Sequence, residues 1–317
     1  MGMLIDGVWR GDADRFIRNG AFCREVSGLP LMTASELAEH MRVTPTVLIA
    51  SKSCPWSHRT LLVRAVKQLD YISIVIAGEP RVEGYALSLP HQVTIEGKPV
   101  AHVHQLYSAT DPAFQGRATV PLLWDSAGER IVCNDSATIA RALDLMSQPV
   151  SLLNPSEHFE EIETLNARIY SGLSNTVYRA GLAETQAAYD AAVQDVFATL
   201  DWLEVRLTAR RYLLGAQITE ADFFLFATLV RFDVVYNTLF RCTRRRLTDY
   251  PALWVYARDL FAQPGVAETV DFAQIRDGYY LNDGDSNPHQ ILPDLPDIDW
   301  TEPHGRDCNP IRVEGRG

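Results

Sequence analysis

Apolar and polar residues follow two different periods along the chain, and the change of period falls near residue 150. In the first half, residues 46–50 and 72–76 are short runs of apolar, mostly β-branched residues, which are typical of buried strands. Between them, apolar residues from Leu61 to Leu69 recur at the spacing of one helical face. A strand, a helix and a strand in this order predict two parallel neighbouring strands joined by a right-handed crossover.

The regular pattern returns after an irregular segment over residues 77–116, which is rich in glycine and proline. Residues 116–125 and 130–133 then predict two strands joined by a turn, and residues 134–136 predict the cap of a following helix. The order β-α-β followed by β-β-α is that of a thioredoxin-like fold. A long segment without periodicity inside a compact domain is typical of a functional loop or a lid.

The second half of the chain has the period of helices. Four helices are predicted, over residues 160–173, 187–207, 222–239 and 251–261. Thr219 and Asp222 form a capping-box-like arrangement at the head of the third, so Asp222 is predicted to be a buried structural cap. After residues 263–266 the pattern predicts mostly loops, followed by a tail rich in proline and aspartate.

These patterns predict an α+β protein with two domains and two extensions. Residues 1–43, with a hairpin-like start and a helix over 33–42, are predicted to be an N-terminal extension. A thioredoxin-like domain is predicted over 44–147 and an all-helical domain over 156–280, separated by a polar, proline-marked linker. Residues 281–317 are predicted to be an extended tail.

Composition narrows the classes of function. The formal net charge of −11 argues against general nucleic-acid binding and against binding to anionic membranes. No apolar run approaches the ~20 residues that span a bilayer, and no signal peptide is recognisable. Five widely scattered cysteines without metal-binding spacing suit a reducing cytoplasm. His102 and His104 are predicted to share a strand face with no third ligand, so no metal site is predicted.

Cys54 is the strongest candidate for chemistry, because it lies on the turn between a predicted strand and a predicted helix. Unpaired N–H groups and the positive end of the helix dipole favour a thiolate there, and Pro55 suits the first helical turn. Position 57, where a dithiol enzyme would have its second thiol, is Ser57. A single thiol must exchange its disulfide with an external thiol such as glutathione. The alternative is an inert buried cysteine.

Pro121 lies inside an apolar run that otherwise predicts a central strand, where proline is normally excluded. A cis bond between Val120 and Pro121 at an edge position resolves this conflict and turns the Val120 backbone outward. The outward backbone can then pair with an extended peptide. A trans-proline bulge is the alternative.

Several motifs in one order resemble a known family. Residues 54–60, Cys-Pro-Trp-Ser-His-Arg-Thr, resemble the Cys-Pro-Trp-Ala-His-Arg-Thr motif of glutathionyl-hydroquinone reductases, the Xi class of the glutathione S-transferase superfamily. Residues 116–125, 177–181, 229–233 and 264–270 resemble the same family. The resemblance implies a thioredoxin-like domain followed by the all-α C-terminal domain of these transferases.

The resemblance also implies a glutathione site. Val120 would pair with the cysteinyl part of glutathione, and Arg117 would reach a glutathione carboxylate. Asp135 and Ser136, at a helix N-terminus, would bind the γ-glutamyl end, although the family usually has glutamate at position 135. Plain helix capping by these two residues is an alternative that is compatible with this role. Tyr85 is the nearest counterpart of a family tryptophan that covers glutathione.

Tyrosines are the candidate substrate contacts. Tyr178 and Tyr279, with Tyr280 beside it, resemble family tyrosines that hydrogen-bond the quinol oxygens. A phenol suits this task because it donates or accepts hydrogen bonds and stacks on aromatic rings. From the residues alone, these tyrosines would be interpreted as core.

The implied activity is removal of glutathione from glutathionyl-hydroquinones through a Cys54–glutathione mixed disulfide, with glutathione as co-substrate and no metal. A cytoplasmic homodimer is the implied state. Two alternatives remain: an Omega-like thioltransferase or dehydroascorbate reductase, and a glutathione-binding protein whose activity has lapsed.

Overall fold

The computed structural model describes residues 2–13, 17–24, 28–29, 32–78, 81–89, 92–147, 153–282 and 286–306. The strands are β1 (Met3–Ile5), β2 (Val8–Arg10), β3 (Ile17–Arg18), β4 (Ala21–Phe22), β5 (Thr46–Ala50), β6 (Ser73–Gly78), β7 (Ala86–Leu87), β8 (Thr94–Ile95), β9 (Lys98–Pro99), β10 (Leu122–Asp125) and β11 (Arg130–Cys133). The helices are α1 (Ala34–Val43), α2 (Pro55–Val66), α3 (Val103–Thr110), α4 (Ser136–Met146), α5 (Phe159–Ile169), α6 (Thr176–Gly181), α7 (Gln186–Thr208), α8 (Glu220–Leu229), α9 (Pro251–Phe261) and α10 (Phe272–Tyr280). Most of the predicted linker, residues 148–152, and the end of the tail lie outside the described residues.

A five-stranded sheet with the order β11-β10-β5-β6-β7 forms the centre of the first compact unit. As predicted, β5 and β6 are parallel neighbours, and α2 connects them. β10 runs antiparallel to both β5 and β11. This is the thioredoxin-like arrangement, and an all-helical domain follows it, so the predicted α+β fold class is confirmed.

The strand register places three loops at the same edge of this sheet. Leu122 pairs with Ile49, near the end of β5, and Leu123 pairs with Cys133, at the end of β11. The turn that holds Cys54, the segment that enters β10 and the turn after β11 therefore all meet at this edge. The sheet topology alone thus brings the separate candidate motifs of the first half together.

Two segments of the first unit come from outside the predicted thioredoxin-like domain. The unit comprises Met1–Leu152 and Glu268–Leu295, and the second unit comprises Leu153–Ala267 and Pro296–Gly317. The predicted N-terminal hairpin is present as β1 and β2, and Leu4 exchanges two backbone hydrogen bonds with Gly116. Hydrogen bonds from His58 and Arg81 hold the segment around α10. Contacts in the folded chain, rather than chain order, thus decide how the chain divides.

α3 is a correction to the irregular segment predicted over 77–116. It is only eight residues long, and proline-containing loops flank it. Its buried residues Val103, Leu106 and Tyr107 belong to the core of the first unit. A helix this short gives a weak periodic signal, and packing of its apolar face stabilises it.

α10 is a second correction, because loops were predicted beyond residue 266. Asp271 caps this helix by accepting a hydrogen bond of 2.9 Å from the Gln274 N–H. The helix has nine residues and contains Gly278, which weakens the helical pattern. Burial of its residues Ile275, Gly278 and Tyr280 compensates for that weak propensity.

Within the second unit, α7 and α9 match their predicted helices closely, whereas two predicted helices are interrupted. The helix predicted over 160–173 ends at Ile169, and a π-helical turn over Tyr170–Ser174 and then α6 follow. A Cβ at Gly172 would lie 2.2 Å from Thr199 Oγ1, so the π turn approaches α7 closely. The helix predicted over 222–239 likewise ends at Leu229, before a second π turn. Periodicity continues through such turns, which is why the sequence did not reveal them.

The predicted capping box of α8 is confirmed. Asp222 is fully buried and accepts hydrogen bonds from the Thr219 N–H and hydroxyl, the Leu213 N–H and the Tyr256 hydroxyl, at 2.8–2.9 Å. α8 itself is buried along its whole length. In the described part of the chain, no helix combines the length and the apolar character needed to cross a bilayer.

Candidate functional site

Cys54 is the N-cap residue of α2, and its Sγ lies 3.5 Å from the Val120 carbonyl oxygen. The residue is 8% exposed and belongs to the hydrophobic core of the first unit. Its own N–H donates to the Ser51 carbonyl at 3.2 Å, which fixes the turn, and Pro55 begins the helix. The sulfur therefore faces the Val120 carbonyl oxygen at the N-terminal end of α2, where backbone N–H groups are unpaired.

The Val120–Pro121 peptide bond is cis, as the sequence predicted. The predicted edge position is wrong, because β10, which follows Pro121, lies between β5 and β11 in the sheet. Val120 precedes β10, and its carbonyl oxygen faces the Cys54 thiol. Within the described ranges, its N–H donates to no protein acceptor. An extended peptide at this corner would find one main-chain donor and one main-chain acceptor beside the sulfur.

Asp135 caps α4, which begins with Ser136. One carboxylate oxygen of Asp135, Oδ1, accepts a hydrogen bond of 2.8 Å from the Thr138 N–H. The side chain is half-buried, and the other oxygen has no hydrogen-bond partner among the residues that the structure describes. Capping thus engages one oxygen and leaves the second for a cation. The predicted capping role and an ammonium-binding role are compatible here.

Tyr107, on α3, ties two parts of the site edge together. Its hydroxyl donates to the Thr119 carbonyl oxygen at 3.0 Å and accepts from Asn134 Nδ2 at 2.9 Å. Thr119 directly precedes Val120, and Asn134 directly precedes Asp135. Burial raises the pKa of Tyr107, so the hydroxyl stays protonated and keeps its donor role. No sequence signal pointed to this residue, because α3 is too short to give a clear periodic pattern.

Tyr85 lies in the segment before β7, where a guanidinium covers its ring. Arg81 Cζ is 4.5 Å from the ring centroid, and Arg81 Nη1 donates to the Tyr85 hydroxyl at 3.1 Å. Arg81 also donates to the Gly278 carbonyl oxygen, on α10, and its N–H donates to Asn282 Oδ1 at 3.2 Å. Arg81 therefore connects the segment of Tyr85 to the helix that carries Tyr279. No sequence signal pointed to Arg81, because it lies in the segment without periodicity.

Arg117 is half-buried and lies three residues before Val120.

Of the paired tyrosines, Tyr279 is half-buried, whereas Tyr280 is 8% exposed. Their helix belongs to the same unit as Cys54. His58, on α2, forms a hydrogen bond of 2.8 Å between its Nε2 and the Thr269 hydroxyl, just before that helix. The chain after residue 267 is thus attached directly to the cysteine helix.

Tyr178 belongs to the second unit, on α6. Its half-buried ring packs edge-on against Phe240, with centroids 5.3 Å apart, and lies 6.0 Å from the Tyr236 ring. A Cβ at Gly181 would lie 2.2 Å from the Phe240 ring, so α6 and that ring are in close contact. Aromatic packing therefore fixes the orientation of the Tyr178 ring.

The other cysteines lack the setting of Cys54. Burial raises the pKa of Cys133 to about 11 and that of Cys242 to about 12, so both remain thiols at neutral pH. Cys23 is half-buried and its thiol donates weakly to the Ala21 carbonyl oxygen. Among the described cysteines, Cys54 is the one at a helix N-terminus that faces a candidate peptide-binding corner.

The predicted placement of His102 and His104 on a strand face is wrong. His102 is the N-cap residue of α3, and His104 lies in its first turn. The predicted absence of a third ligand is also wrong, because Glu83 lies close to both rings. Sequence spacing could not reveal this, since a carboxylate some twenty residues away approaches only in the folded chain.

Comparison with known proteins adds independent information. A model described as glutathione S-transferase, N-terminal domain, matches residues 53–146, and one described as glutathione S-transferase, C-terminal domain, matches residues 186–259. The chain is 40% identical to glutathionyl-hydroquinone reductase YqjG of Escherichia coli, over 97% of this chain and 99% of that protein. It is 39% identical to glutathionyl-hydroquinone reductase PcpF of Sphingobium chlorophenolicum, over 92% of this chain and 96% of that protein.

Solved structures agree with this result. A Xi class GST from Natrialba magadii superimposes with a TM-score of 0.85 at 35% identity, over 97% of each chain. The glutathione-bound structure of YqjG gives a TM-score of 0.80 at 37% identity, over 96% of this chain and 99% of that chain. Similarity at this level extends over both halves of the chain.

Proposed function

Because this chain belongs to the Xi class of the glutathione S-transferase superfamily, we propose that it is a glutathionyl-hydroquinone reductase. The observation that carries the proposal is a single thiol, Cys54, at a helix N-terminus and 3.5 Å from the carbonyl oxygen of a cis-proline corner. The names of YqjG and PcpF support the same activity.

The reaction proceeds in two exchanges at the Cys54 sulfur. The thiolate attacks the glutathione sulfur of the aryl thioether, the aryl carbon–sulfur bond breaks, and the aryl carbon takes a proton to give the free hydroquinone. A Cys54–glutathione disulfide remains. A second glutathione thiolate attacks the glutathione sulfur of this disulfide, and glutathione disulfide leaves with Cys54 again a thiolate. Because position 57 is Ser57 rather than a second cysteine, the second glutathione is required to reduce the Cys54–glutathione disulfide.

Main-chain and charged groups at the sheet edge suit glutathione. The Val120 N–H and carbonyl oxygen can pair with the cysteinyl unit, as an added strand would. The N–H groups at the start of α4, including that of Ser136, can bind the γ-glutamyl carboxylate, and the second Asp135 oxygen can bind its ammonium. Arg117 can take the remaining carboxylate, and Tyr85 can cover the tripeptide from the side. Arg81 acts through Tyr85 and is a positioning residue.

Tyrosine hydroxyls are proposed to bind the quinol oxygens. Tyr279 is preferred over Tyr280, because Tyr280 is the more deeply buried of the pair. Tyr178 is proposed as the second phenol. Hydrogen bonds from these groups can stabilise charge that develops on the quinol oxygens while the aryl carbon–sulfur bond breaks.

Comparing two substrates tests this function. The purified protein is given glutathione with either glutathionyl-menadiol or a small glutathione mixed disulfide. We expect hydroquinone release to be the faster reaction, and Tyr279→Phe to lower it by about tenfold or more through loss of a hydrogen bond to the substrate. The exposed Tyr71→Phe is the matched control. Faster turnover of the disulfide would favour an Omega-like thioltransferase, and no turnover of either substrate would indicate a lapsed enzyme.

We further propose a homodimer in the cytoplasm. The free state of the four cysteines in the described ranges supports a reducing compartment. The family resemblance supports the dimer. Light scattering on the purified protein tests it, and a monomeric mass at micromolar concentration would contradict it.

A further inference from the structure

Three potential metal ligands converge near the start of α3, outside the cysteine site. The ligand atoms of Glu83, His102 and His104 all lie within 4.8 Å of one another. Glu83 Oε2 is 3.9 Å from His102 Nδ1 and 4.0 Å from His104 Nε2. The two imidazole rings stack with centroids 5.5 Å apart. The carboxylate therefore faces one nitrogen from each ring.

Ring stacking holds His104 in place, but Nε2, the ring nitrogen that faces Glu83, makes no hydrogen bond in the described structure. Its side chain is 13% exposed, and its ring stacks on Trp9 with centroids 4.9 Å apart. Nε2 is buried and has no hydrogen-bond partner in the described structure. A buried polar atom without such a partner is rare in folded proteins and calls for a specific explanation. An ion between the ring and the carboxylate would supply one.

We propose that Glu83, His102 and His104 bind one divalent transition-metal ion, with Zn²⁺ as the preferred ion. Two imidazoles and one carboxylate are a frequent zinc ligand set, and such a set leaves a fourth position for water or another ligand. Soft Cu⁺ would prefer sulfur ligands, and Mg²⁺ or Ca²⁺ would prefer oxygen ligands.

The geometry needs only a small adjustment for such an ion. Zinc–ligand bonds of about 2.0–2.1 Å in a tetrahedron place neighbouring ligand atoms roughly 3.3 Å apart. Glu83 is 59% exposed, so rotation of its side chain can shorten both carboxylate–nitrogen distances. The two ring nitrogens, which lie within 4.8 Å of each other, would approach by rotation of the imidazole rings.

A metal at this position would fasten a loop to a helix. Glu83 lies two residues before Tyr85 and directly before Gly84, whose φ of +72° makes the turn. A Cβ on Gly84 would lie 3.1 Å from Trp9, so the loop already packs on the same indole as His104. The bound ion would therefore hold the segment that carries Tyr85 against α3. This inference does not depend on the proposed activity.

Titration with Zn²⁺ and Co²⁺ tests the site on the full-length, reduced protein. We expect one equivalent to bind, and His102→Gln, His104→Gln and Glu83→Gln each to weaken the affinity by about tenfold or more, because each removes one of three ligands. The exposed His289→Gln is the matched control and should bind as the unchanged protein does. The Co²⁺ form should show ligand-field bands without a thiolate charge-transfer band.

Two results would overturn the site. The first is an unchanged affinity in the Glu83→Gln and His102→Gln variants, whose side chains are partly exposed and whose loss leaves the core intact. The second is a thiolate charge-transfer band, which would place the ion on a cysteine. Circular dichroism of each variant distinguishes loss of a ligand from loss of the fold.

Discussion

Replacing Cys54 by serine should lower hydroquinone release by about three orders of magnitude or more, because a serine hydroxyl cannot form the mixed disulfide. The serine oxygen is nearly isosteric with the sulfur at the N-cap of α2, and serine is itself a favourable N-cap residue. The fold should therefore persist while the chemistry is lost. Chromatographic measurement of hydroquinone from glutathionyl-menadiol gives the rate.

Cys23→Ser is the matched control for this experiment. Cys23 belongs to the same unit and is half-buried, but it is not a helix N-cap, since the next N-cap along the described part of the chain is Thr33. Its replacement should leave the rate within about twofold, as surface-like substitutions usually change little. In the absence of free glutathione, the unchanged protein should accumulate one glutathionyl adduct, visible by mass spectrometry, and Cys54→Ser should show none. An active Cys54→Ser protein would refute the mechanism.

Replacing Asp222 by alanine should destabilise the second unit by about 4 kcal/mol, because four buried donor groups would lose their acceptor. These donors belong to Leu213, Thr219 and Tyr256, at 2.8–2.9 Å. Urea unfolding followed by circular dichroism measures the change. Asp190→Asn, on the exposed face of α7 in the same unit, is the matched control and should change the free energy of unfolding by less than ~0.5 kcal/mol.

The effect of Asp222→Ala should also depend on pH in a defined direction. Burial raises the pKa of Asp222, so the folded protein holds this proton more tightly than the unfolded chain does. The stability that the carboxyl contributes is therefore fully present below its unfolded pKa of ~3.9 and decreases as pH rises through the raised pKa. The loss caused by the alanine should be larger at about pH 5 than at about pH 8. A larger loss at the higher pH would show that hydrogen bonds to the ionised form dominate.

The sequence by itself determined the features that depend on neighbouring residues. The apolar run of β5, Cys54 and the proline after it specify a strand, a turn and a helix start within some twenty residues. Thr219 and Asp222 specify a cap within four residues. The cis bond before Pro121 followed from the conflict between a proline and a strand pattern. These features can be predicted from the sequence because local sterics and short-range hydrogen bonds determine them.

Only the tertiary structure decided which distant residues meet. α3 and α10 are too short for a strong periodic signal, and packing of their apolar residues determines that they form. The bonds from Tyr107 reach both sides of the site edge, and those from Arg81 reach Gly278 in α10 and Asn282 just after it. They connect residues separated by 12 to 201 positions. Glu83 meets two histidines in the same way. A sequence pattern records period and neighbours, whereas these contacts exist because the folded core brings separate segments to one place.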